Sequence, residues 1–549
     1  MKKNLNYLLF CLAALVLFFL ALDKIPLWSS DEGRFGEIAR EMWESRNFVV
    51  PHFNFIVYLE KPILSPFLTA LSYGLMGVNA FSTRFPIVFL ALLGIFFCYR
   101  FTRRIFDSRT AELSSVVLLT TIGYVLVGRF AVIDMIMTFF LSMTLFCLWT
   151  AFLERKKSYY FLAYFLMGLA FLTKGLIGIL LPGLVFFVFL MWTGNLRELK
   201  HLQLGWGCLI LAVVILPWCI AISIKEPEFF KVFIVDQHFT RFATGGFGRR
   251  RPFWFFIPIL IATGFPWTFF MPAAISDGLK QKDAQRIKIQ FLICWIAVIF
   301  LFFSIPKSKL PYYLLPVSMP MAILTGHFFA NGEALQRSRR LLQRIGKLLA
   351  IFTGIAALGF FIFSGWIKDE KFILLKPILM LTVPLIFGGC FAAYYFLNRK
   401  GKPLAAFLSL AGMVYGGLIL VILGMVKLSP FQSSFEYAEV LKPLLKTGDE
   451  VAIFSSPDRF SDFPFYLKKR VIIVGPDRGT LRNQSIELEI DQQREYFLQI
   501  DDFVRSFNAK TRRQFCLMEE DRLQELLLKG LREPIIVKKD YGHILISNF

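Results

Sequence analysis

Long apolar segments constrain this chain more than any other feature of its sequence. A helix needs about 20 apolar residues to cross the hydrocarbon core of a bilayer, and about thirteen segments approach that length. They lie near residues 6–22, 83–101, 111–128, 134–153, 159–173, 175–193, 205–224, 253–275, 288–304, 311–330, 347–366, 373–396 and 404–427. We therefore predict a polytopic α-helical membrane protein with about 13 transmembrane helices.

The composition agrees with this class and excludes several others. Charged residues make up only 18% of the 549 residues, whereas soluble domains carry about 25%. The net charge of +22 is better explained by membrane topology and anionic lipid than by nucleic acid, so no nucleic-acid partner is expected. The eight cysteines form no CxxC pair, and no GxxxxGK[ST] motif is present. We expect neither a disulfide framework nor a nucleotide cofactor.

Basic residues alternate along the connections between the predicted spans. Short Lys- and Arg-rich loops lie at 2–3, 99–109, 155–157, 195–201, 280–288, 337–347 and 399–402. The positive-inside rule places them in the cytoplasm, which also makes the N-terminus cytoplasmic. The remaining loops, above all 23–82 and 225–252, are then periplasmic. The first span lacks a small-residue cleavage site, so we expect it to be retained.

The pattern changes after residue 428. Short β-rich runs at 451–454, 471–474, 534–537 and 543–546 alternate with helix-like stretches at 435–446 and 519–530. This alternation predicts a small α/β domain. We therefore divide the chain into a membrane domain, 1–428, which carries the candidate site, and a periplasmic α/β domain, 429–549.

The first periplasmic loop contains the most patterned polar residues. Ser29-Ser30-Asp31-Glu32 is typical of a capping box that opens a helix. We expect that helix to lie on the membrane surface with its apolar side down. Glu60-Lys61-Pro62 follows just before an apolar stretch, where a cation can bind a lipid phosphate at the interface. A solvated ion pair is the structural alternative for Glu60 and Lys61.

Asp134 and Lys174 are single charges between apolar spans. Burying a charge near a bilayer is expensive, so such a residue usually has a partner and a function. A salt bridge from Asp134 to Arg129 or to Lys174 is the structural alternative.

Two further loops place polar residues on the same predicted face. The loop 225–252 carries His238 and Arg241 before a glycine-rich stretch, which permits a mobile lid. Lys309 and Tyr313 stand at the start of another span, where interfacial anchoring is the structural alternative. We expect all these loops to gather into one active site at one membrane surface.

These segments resemble the GT-C-type membrane glycosyltransferases that use polyprenyl-phosphate sugars, and most closely the lipid A 4-amino-4-deoxy-L-arabinose transferase family. The similarity covers nearly the whole chain and is most specific in the first loop. The matching motifs are Trp28-Ser29-Ser30-Asp31-Glu32-Gly33-Arg34-Phe35, Tyr58-Leu59-Glu60-Lys61-Pro62, Ala131-Val132-Ile133-Asp134, Leu172-Thr173-Lys174-Gly175, His238-Phe239-Thr240-Arg241-Phe242 and Lys309-Leu310-Pro311-Tyr312-Tyr313.

The resemblance implies a role for each of these residues. The implied roles are catalytic for Asp31 and Asp134, donor-phosphate binding for Lys61, Arg241 and Lys174, cavity lining for Arg34, Tyr313 and Lys309, and binding of a possible divalent metal ion for Glu60 and His238. The implied partners are a polyprenyl-phosphate-linked sugar donor, a lipid A acceptor and the bilayer itself.

The implied reaction is sugar transfer at the periplasmic face of the bacterial inner membrane. If the acceptor is a lipid A phosphate, its second pKa of about 6 leaves it ionised at neutral pH, and Asp31 would orient groups rather than act as a base. If the acceptor is a hydroxyl, as in related protein O-mannosyltransferases, Asp31 is the candidate base. A protein O-glycosyltransferase is therefore the alternative function. A transporter is disfavoured because the charges collect on one face.

Overall fold

The computed structural model describes residues 2–233, 235, 251–481, 493 and 495–549. Its α-helices are α1 Lys2–Phe19, α2 Asp31–Ser45, α3 Leu64–Met76, α4 Ala80–Ile105, α5 Ser108–Leu119, α6 Ile122–Val127, α7 Ile133–Glu154, α8 Lys157–Lys174, α9 Ile177–Trp192, α10 Leu204–Lys225, α11 Phe256–Thr263, α12 Met271–Lys280, α13 Asp283–Ser304, α14 Ser318–Ala330, α15 Gly332–Arg337, α16 Arg339–Phe363, α17 Glu370–Tyr395, α18 Pro403–Leu428, α19 Phe435–Leu441, α20 Phe463–Leu467, α21 Ile500–Ala509 and α22 Leu523–Leu528. The strands are β1 His52–Phe53, β2 Ile56–Val57, β3 Glu450–Phe454, β4 Ile472–Val474, β5 Phe497–Leu498, β6 Gln514–Glu519, β7 Ile535–Asp540 and β8 His543–Ser547.

Helices occupy the positions of the predicted spans, but two of those spans are broken. Within the described residues, eight helices are long and apolar enough to cross a membrane, or nine when one bent pair counts as a single span. The arms of that pair, Phe253–Thr263 and Trp267–Lys280, meet at 106°, so the predicted span 253–275 is bent. The predicted span 111–128 is divided into α5 and α6 at Thr120 and Thr121. The total of thirteen spans stays a prediction.

The chain separates into two compact units. The first comprises Met1–Leu22, Ile87–Ile220 and Ile234–Gly424, and the second comprises Asp23–Pro86, Ala221–Phe233 and Met425–Phe549. The segment Asp23–Pro86 thus belongs to the same unit as the C-terminal sheet, although the two are far apart in sequence. The division proposed from the sequence at residue 428 rests on hydropathy alone and could not anticipate this grouping.

The first unit is a bundle of apolar helices. α7 begins at Ile133, and its residues are buried almost without interruption as far as Ala151. Its Trp149 ring lies 5.4 Å from the ring of Phe189 in α9 and 4.7 Å from that of Phe291 in α13. These aromatic contacts stabilise α7 in the interior of the bundle and fix the helix whose first turn carries Asp134.

The second unit contains a six-stranded sheet in the order β5-β4-β3-β6-β8-β7. β3 pairs in parallel with β4 and β6, whereas β8 pairs antiparallel with β6 and β7. Val451 and Ile453 of β3 face one apolar cluster, and Ala452 and Phe454 face the other. Both faces are therefore buried, which is the usual condition of a parallel sheet. The predicted α/β character of this region is confirmed in the described residues.

Candidate active site

Helix α2 begins at Asp31 as the sequence predicts, but not through the predicted capping box. The N-cap residue Ser30 has a φ of 79° and makes no side-chain capping bond. Its backbone N–H instead donates to Ser461 Oγ at 2.9 Å, and that hydroxyl donates back to the Ser30 carbonyl at 2.9 Å. A partner more than 400 residues away thus replaces the local cap.

The polar face of α2 is buried in the protein, and so is its apolar face. The prediction that α2 lies on the membrane surface with its apolar side in the lipid is therefore wrong. Every residue from Glu32 to Met42 is buried. Tyr73 of α3 donates to the Gly36 carbonyl at 3.1 Å. The sequence pattern showed the amphipathic periodicity, but it could not show that protein covers both faces.

Asp31 and Arg34 form the centre of a charged cluster in the second unit. Arg34 Nη2 donates to Asp31 Oδ1, and Arg34 Nη1 donates to Asp458 Oδ1 at 2.9 Å. The Arg34 side chain is 7% exposed and that of Asp31 is 23% exposed. Burial by itself lowers the pKa of Arg34, but Tyr58 and these carboxylates outweigh it and raise the pKa above its ordinary value. Arg34 is therefore a permanent cation shared by two acids.

Tyr58 and Glu60 lie beside this cluster. Tyr58 is 2% exposed, and its buried hydroxyl has no hydrogen-bond partner among the residues that the structure describes. Burial raises the pKa of Tyr58, so the phenol is neutral and able to donate. The Glu60 charge also acts on Arg34, and Glu60 is 6% exposed. The structure thus brings Asp31, Arg34 and Glu60 together as the sequence predicts.

Lys61 is half-buried at the end of the loop that carries Tyr58 and Glu60. Its ammonium donates to the Glu60 backbone carbonyl at 3.0 Å. The expected solvated pair between the side chains of Glu60 and Lys61 is not the arrangement seen here, because the contact is to the backbone.

Glu32 has a structural role that the sequence reasoning missed. Its carboxylate accepts from Arg84 Nε and Nη2, both at 2.7 Å, and Arg84 also donates to the carbonyls of Ile25 and Pro26. The two side chains are only 2% and 3% exposed. An arginine at the start of an apolar helix was the available signal, because such a charge must be paired.

Asp134 and Lys174 form an ion pair in the first unit. Lys174 Nζ lies 2.5 Å from Asp134 Oδ1, with side chains 11% and 8% exposed. The same ammonium lies 4.3 Å from the centroid of the Tyr313 ring, a typical cation–π distance. Arg129, the other predicted partner of Asp134, donates instead to the carbonyls of Leu17 and Leu20.

Lys309 is bound to backbone rather than to an acid. It is 3% exposed and donates to the carbonyls of Pro306 and Arg251, the latter at 3.2 Å. Arg251 in turn donates its backbone N–H to the Lys307 carbonyl at 2.9 Å. Lys309 therefore ties together two loops, a contact that the predicted cavity-lining role did not include.

His238 and Arg241 lie outside the described residues, so their predicted roles stay predictions. Glu60 is the described half of the predicted metal pair. Across the described part of the chain, no group of three or more His, Cys, Asp or Glu side chains is placed to hold a metal ion.

Comparisons with known proteins identify the family of the chain. Residues 60–220 match a family described as dolichyl-phosphate-mannose-protein mannosyltransferase. The undecaprenyl phosphate-α-4-amino-4-deoxy-L-arabinose arabinosyl transferase of Erwinia tasmaniensis is 34% identical over 60% of this chain and 60% of its own length. The transferase of that name from Pseudomonas aeruginosa is 33% identical over 72% of this chain and 73% of its own length.

A solved structure extends the similarity to the full chain. The crystal structure of ArnT from Cupriavidus metallidurans bound to undecaprenyl phosphate is 25% identical, with a TM-score of 0.85 over 99% of this chain and 98% of that one. Together with the apolar helices, this match identifies a GT-C fold and a multi-pass protein of the inner membrane. The chain is a membrane glycosyltransferase and belongs to the undecaprenyl phosphate-α-4-amino-4-deoxy-L-arabinose arabinosyl transferase family.

Proposed function

We propose that this protein transfers 4-amino-4-deoxy-L-arabinose from undecaprenyl phosphate to a phosphate group of lipid A at the periplasmic face of the inner membrane. One observation carries the proposal, namely the similarity along nearly the whole chain to a transferase crystallised with undecaprenyl phosphate. The charged cluster around Arg34 supplies residues suited to such a substrate.

The reaction is a displacement at the anomeric carbon of the sugar. An oxygen of the acceptor phosphate forms the new bond to that carbon, and the bond from the carbon to the undecaprenyl phosphate oxygen breaks. The leaving phosphate takes the electron pair, so negative charge grows on it. Preorganised cations stabilise such charge best where water is excluded.

Lys61 and Arg241 are the proposed ligands of the leaving phosphate. Lys61 is half-buried and follows Glu60, whose charge acts on Arg34, so its ammonium is close to the charged cluster along the chain. Lys174 is the weaker choice, because its ammonium already lies 2.5 Å from the Asp134 carboxylate. A phosphate would have to compete with that buried partner.

Asp31 is proposed to bind and orient substrate rather than to remove a proton. A phosphomonoester with a second pKa of about 6 is already ionised at neutral pH and needs no base. The Asp31 carboxylate can instead hold a cationic amine of the sugar. Asp134 is proposed as a second acidic residue whose position is set by Lys174, and Tyr313 as a cavity residue.

The proposed topology has thirteen spans, a cytoplasmic N-terminus and a periplasmic α/β domain at 429–549. The alternating basic loops support it. Glu60 and His238 would hold a divalent ion if one binds, and no step above depends on it. Cysteine-accessibility labelling at Lys24 and at Lys157, with opposite results expected, tests the orientation.

A protein O-glycosyltransferase is the second candidate function. The match of residues 60–220 to protein mannosyltransferases favours it. Such an enzyme would share the donor chemistry but would need a base for a hydroxyl acceptor, and Asp31 would take that role.

A transfer assay with reconstituted protein distinguishes these two functions. The purified full chain is placed in liposomes with undecaprenyl-phosphate aminoarabinose and either lipid A or a Ser/Thr-rich peptide. We expect mass spectrometry to detect the sugar on lipid A alone. Transfer to the peptide alone would establish the second function, and transfer to neither would contradict both.

Two lysine variants test the proposed donor site. Lys61→Ala should lower transfer by at least about 100-fold, as loss of a charge-stabilising group does. Lys24→Ala is the matched control, because Lys24 belongs to the same loop, is 72% exposed and pairs only weakly with Asp23 at 3.6 Å. Equal activity in the two variants would remove Lys61 from the site.

A further inference from the structure

The carboxyl ends of parallel strands are where open α/β sheets usually bind ligands, especially where the strand order reverses. β3 has β4 on one side and β6 on the other. The strands that follow β3 are thus added first on one side of it and then on the other, so the strand order reverses at β3. The loop that follows β3, residues 455–462, is therefore at the position where a ligand would be expected.

In this protein, helix α2 occupies that position. Ser29 Oγ donates to Asp462 Oδ1 at 2.7 Å, and Ser30 exchanges two hydrogen bonds with Ser461. A Cβ added to Gly33 would lie 2.4 Å from the Asp462 backbone nitrogen. Only glycine permits so close an approach. The first turn of α2, which carries Asp31 and Arg34, thus packs against the loop after β3.

Asp458 is the residue of this loop that reaches the charged cluster. Its Oδ1 accepts from Arg34 Nη1 at 2.9 Å and from Thr480 Oγ1 at 2.9 Å. Gly479, with a φ of 46°, brings the next loop close, since a Cβ there would lie 2.9 Å from Asp458 Oδ2. Thr480 and Arg34 thus both donate to the same oxygen of Asp458.

We infer that Asp458 is a positioning residue for sugar transfer, acting through Arg34 to set the orientation of Asp31. The planar guanidinium has a fixed fork of donors, and here one terminal nitrogen goes to each carboxylate. Because Asp458 holds Nη1, the guanidinium presents Nη2 to Asp31, and this contact sets the orientation of the Asp31 carboxylate. The inference rests on the proposed function of Asp31 and adds the C-terminal sheet to the catalytic machinery.

The test uses full-length protein in liposomes and measures kcat, KM for the donor and the melting temperature. Asp458→Asn should lower kcat about 10-fold while KM changes less than about twofold, because the orientation rather than the affinity is altered. Asp477→Asn is the matched control, since Asp477 is exposed in the loop after β4 and, within the described residues, accepts a hydrogen bond from Gly479 N at 2.9 Å. It should retain full activity.

A double-mutant cycle separates positioning from a merely structural role. In an Arg34→Lys background, Asp458→Asn should cost less than about twofold, because a single ammonium cannot bridge both carboxylates. Asp458→Glu should recover part of the activity. Three outcomes would overturn the inference. The first is that the two substitutions lower kcat independently, so that their effects multiply in the double variant. The others are an unchanged kcat in Asp458→Asn and failure of both Asp458 variants to fold. An inactive wild-type protein would instead contradict the proposed function.

Discussion

Two buried acid–base clusters of this protein differ in how their charges are balanced. In the second unit, Arg34 is shared between Asp31 and Asp458, so two carboxylates face one cation. In the first unit, Asp134 faces Lys174 in a one-to-one pair, with the ammonium over the Tyr313 ring. Counting these groups alone, the first arrangement has two negative charges for one positive charge, and the second has one of each.

This difference indicates different roles. A neutral, almost fully buried pair has each charge satisfied by the other, so its removal is felt first as a loss of stability. A carboxylate that shares a cation with a second acid is less fully neutralised by that contact than a carboxylate in a one-to-one pair. We therefore propose a chemical role chiefly for Asp31 and a structural role chiefly for Asp134.

The largest expected effect is on stability, from breaking the pair in the first unit. Asp134→Asn leaves the Lys174 charge buried without its partner, which costs about 3–5 kcal/mol. Thermal melting in detergent measures it. The double variant Asp134→Leu/Lys174→Met should recover most of the stability but little transfer activity. A stable Asp134→Asn protein would remove the contrast between the clusters.

Asp31→Asn should have the next largest effect, on activity. We expect transfer to fall about 100-fold, equivalent to about 2.7 kcal/mol of transition-state stabilisation, with melting nearly unchanged because Arg34 keeps Asp458. Liposome assays of lipid A modification check this. Asp23→Asn, in the same loop and 60% exposed, is the control. An active Asp31→Asn enzyme would reverse the assignment of roles.

Another buried acid on α2, Glu41, extends the comparison to pH dependence. Glu41 accepts from the Phe55 N–H, and burial, followed by the charge of Glu37, raises the pKa of Glu41 well above its usual value. A raised folded-state pKa gives stability that is complete below the unfolded pKa of about 4.3 and is lost as pH rises through the folded pKa. Melting of the wild-type protein should therefore fall from pH 5 towards pH 8.

The control for this pH effect is Glu41→Gln. The amide can still accept from Phe55 but does not ionise, so its melting curve should vary less between pH 5 and pH 8. The two proteins should be closest in stability at the acid end. Parallel pH profiles would mean that Glu41 does not set this dependence.

The smallest expected effect concerns the ring beside Lys174. Tyr313→Phe keeps the aromatic face, so stability should change little. Tyr313→Leu removes the cation–π contact and should cost about 0.5–2 kcal/mol. Comparing the two melting temperatures isolates the ring from the hydroxyl. A larger loss in the Phe variant would assign the role to the hydroxyl instead.

Much of the fold could be predicted from local pattern. The apolar runs placed the membrane helices, and β-rich runs such as 451–454 and 543–546 are strands β3 and β8. Strand β6 and helix α21 were not predicted, because their core positions are mixed with polar residues. The bend within 253–275 was also missed, since hydropathy averages over Gly264 and Pro266.

The site was predictable only in part, as Arg34 shows. Sequence motifs singled out Asp31, Arg34, Glu60 and Lys61 because their spacing resembles a known family. Nothing local pointed to Asp458, whose distance from Arg34 along the chain is 424 residues. Nor did any motif choose Lys174 over Arg129 as the partner of Asp134.

By itself, the sequence determined the class of protein, the helical segments and the residue types able to bind a lipid phosphate, because hydropathy and charge act locally along the chain. Only the tertiary structure decided which acid shares which cation. Partners for buried charges are chosen by three-dimensional proximity and desolvation, and these depend on how distant segments pack.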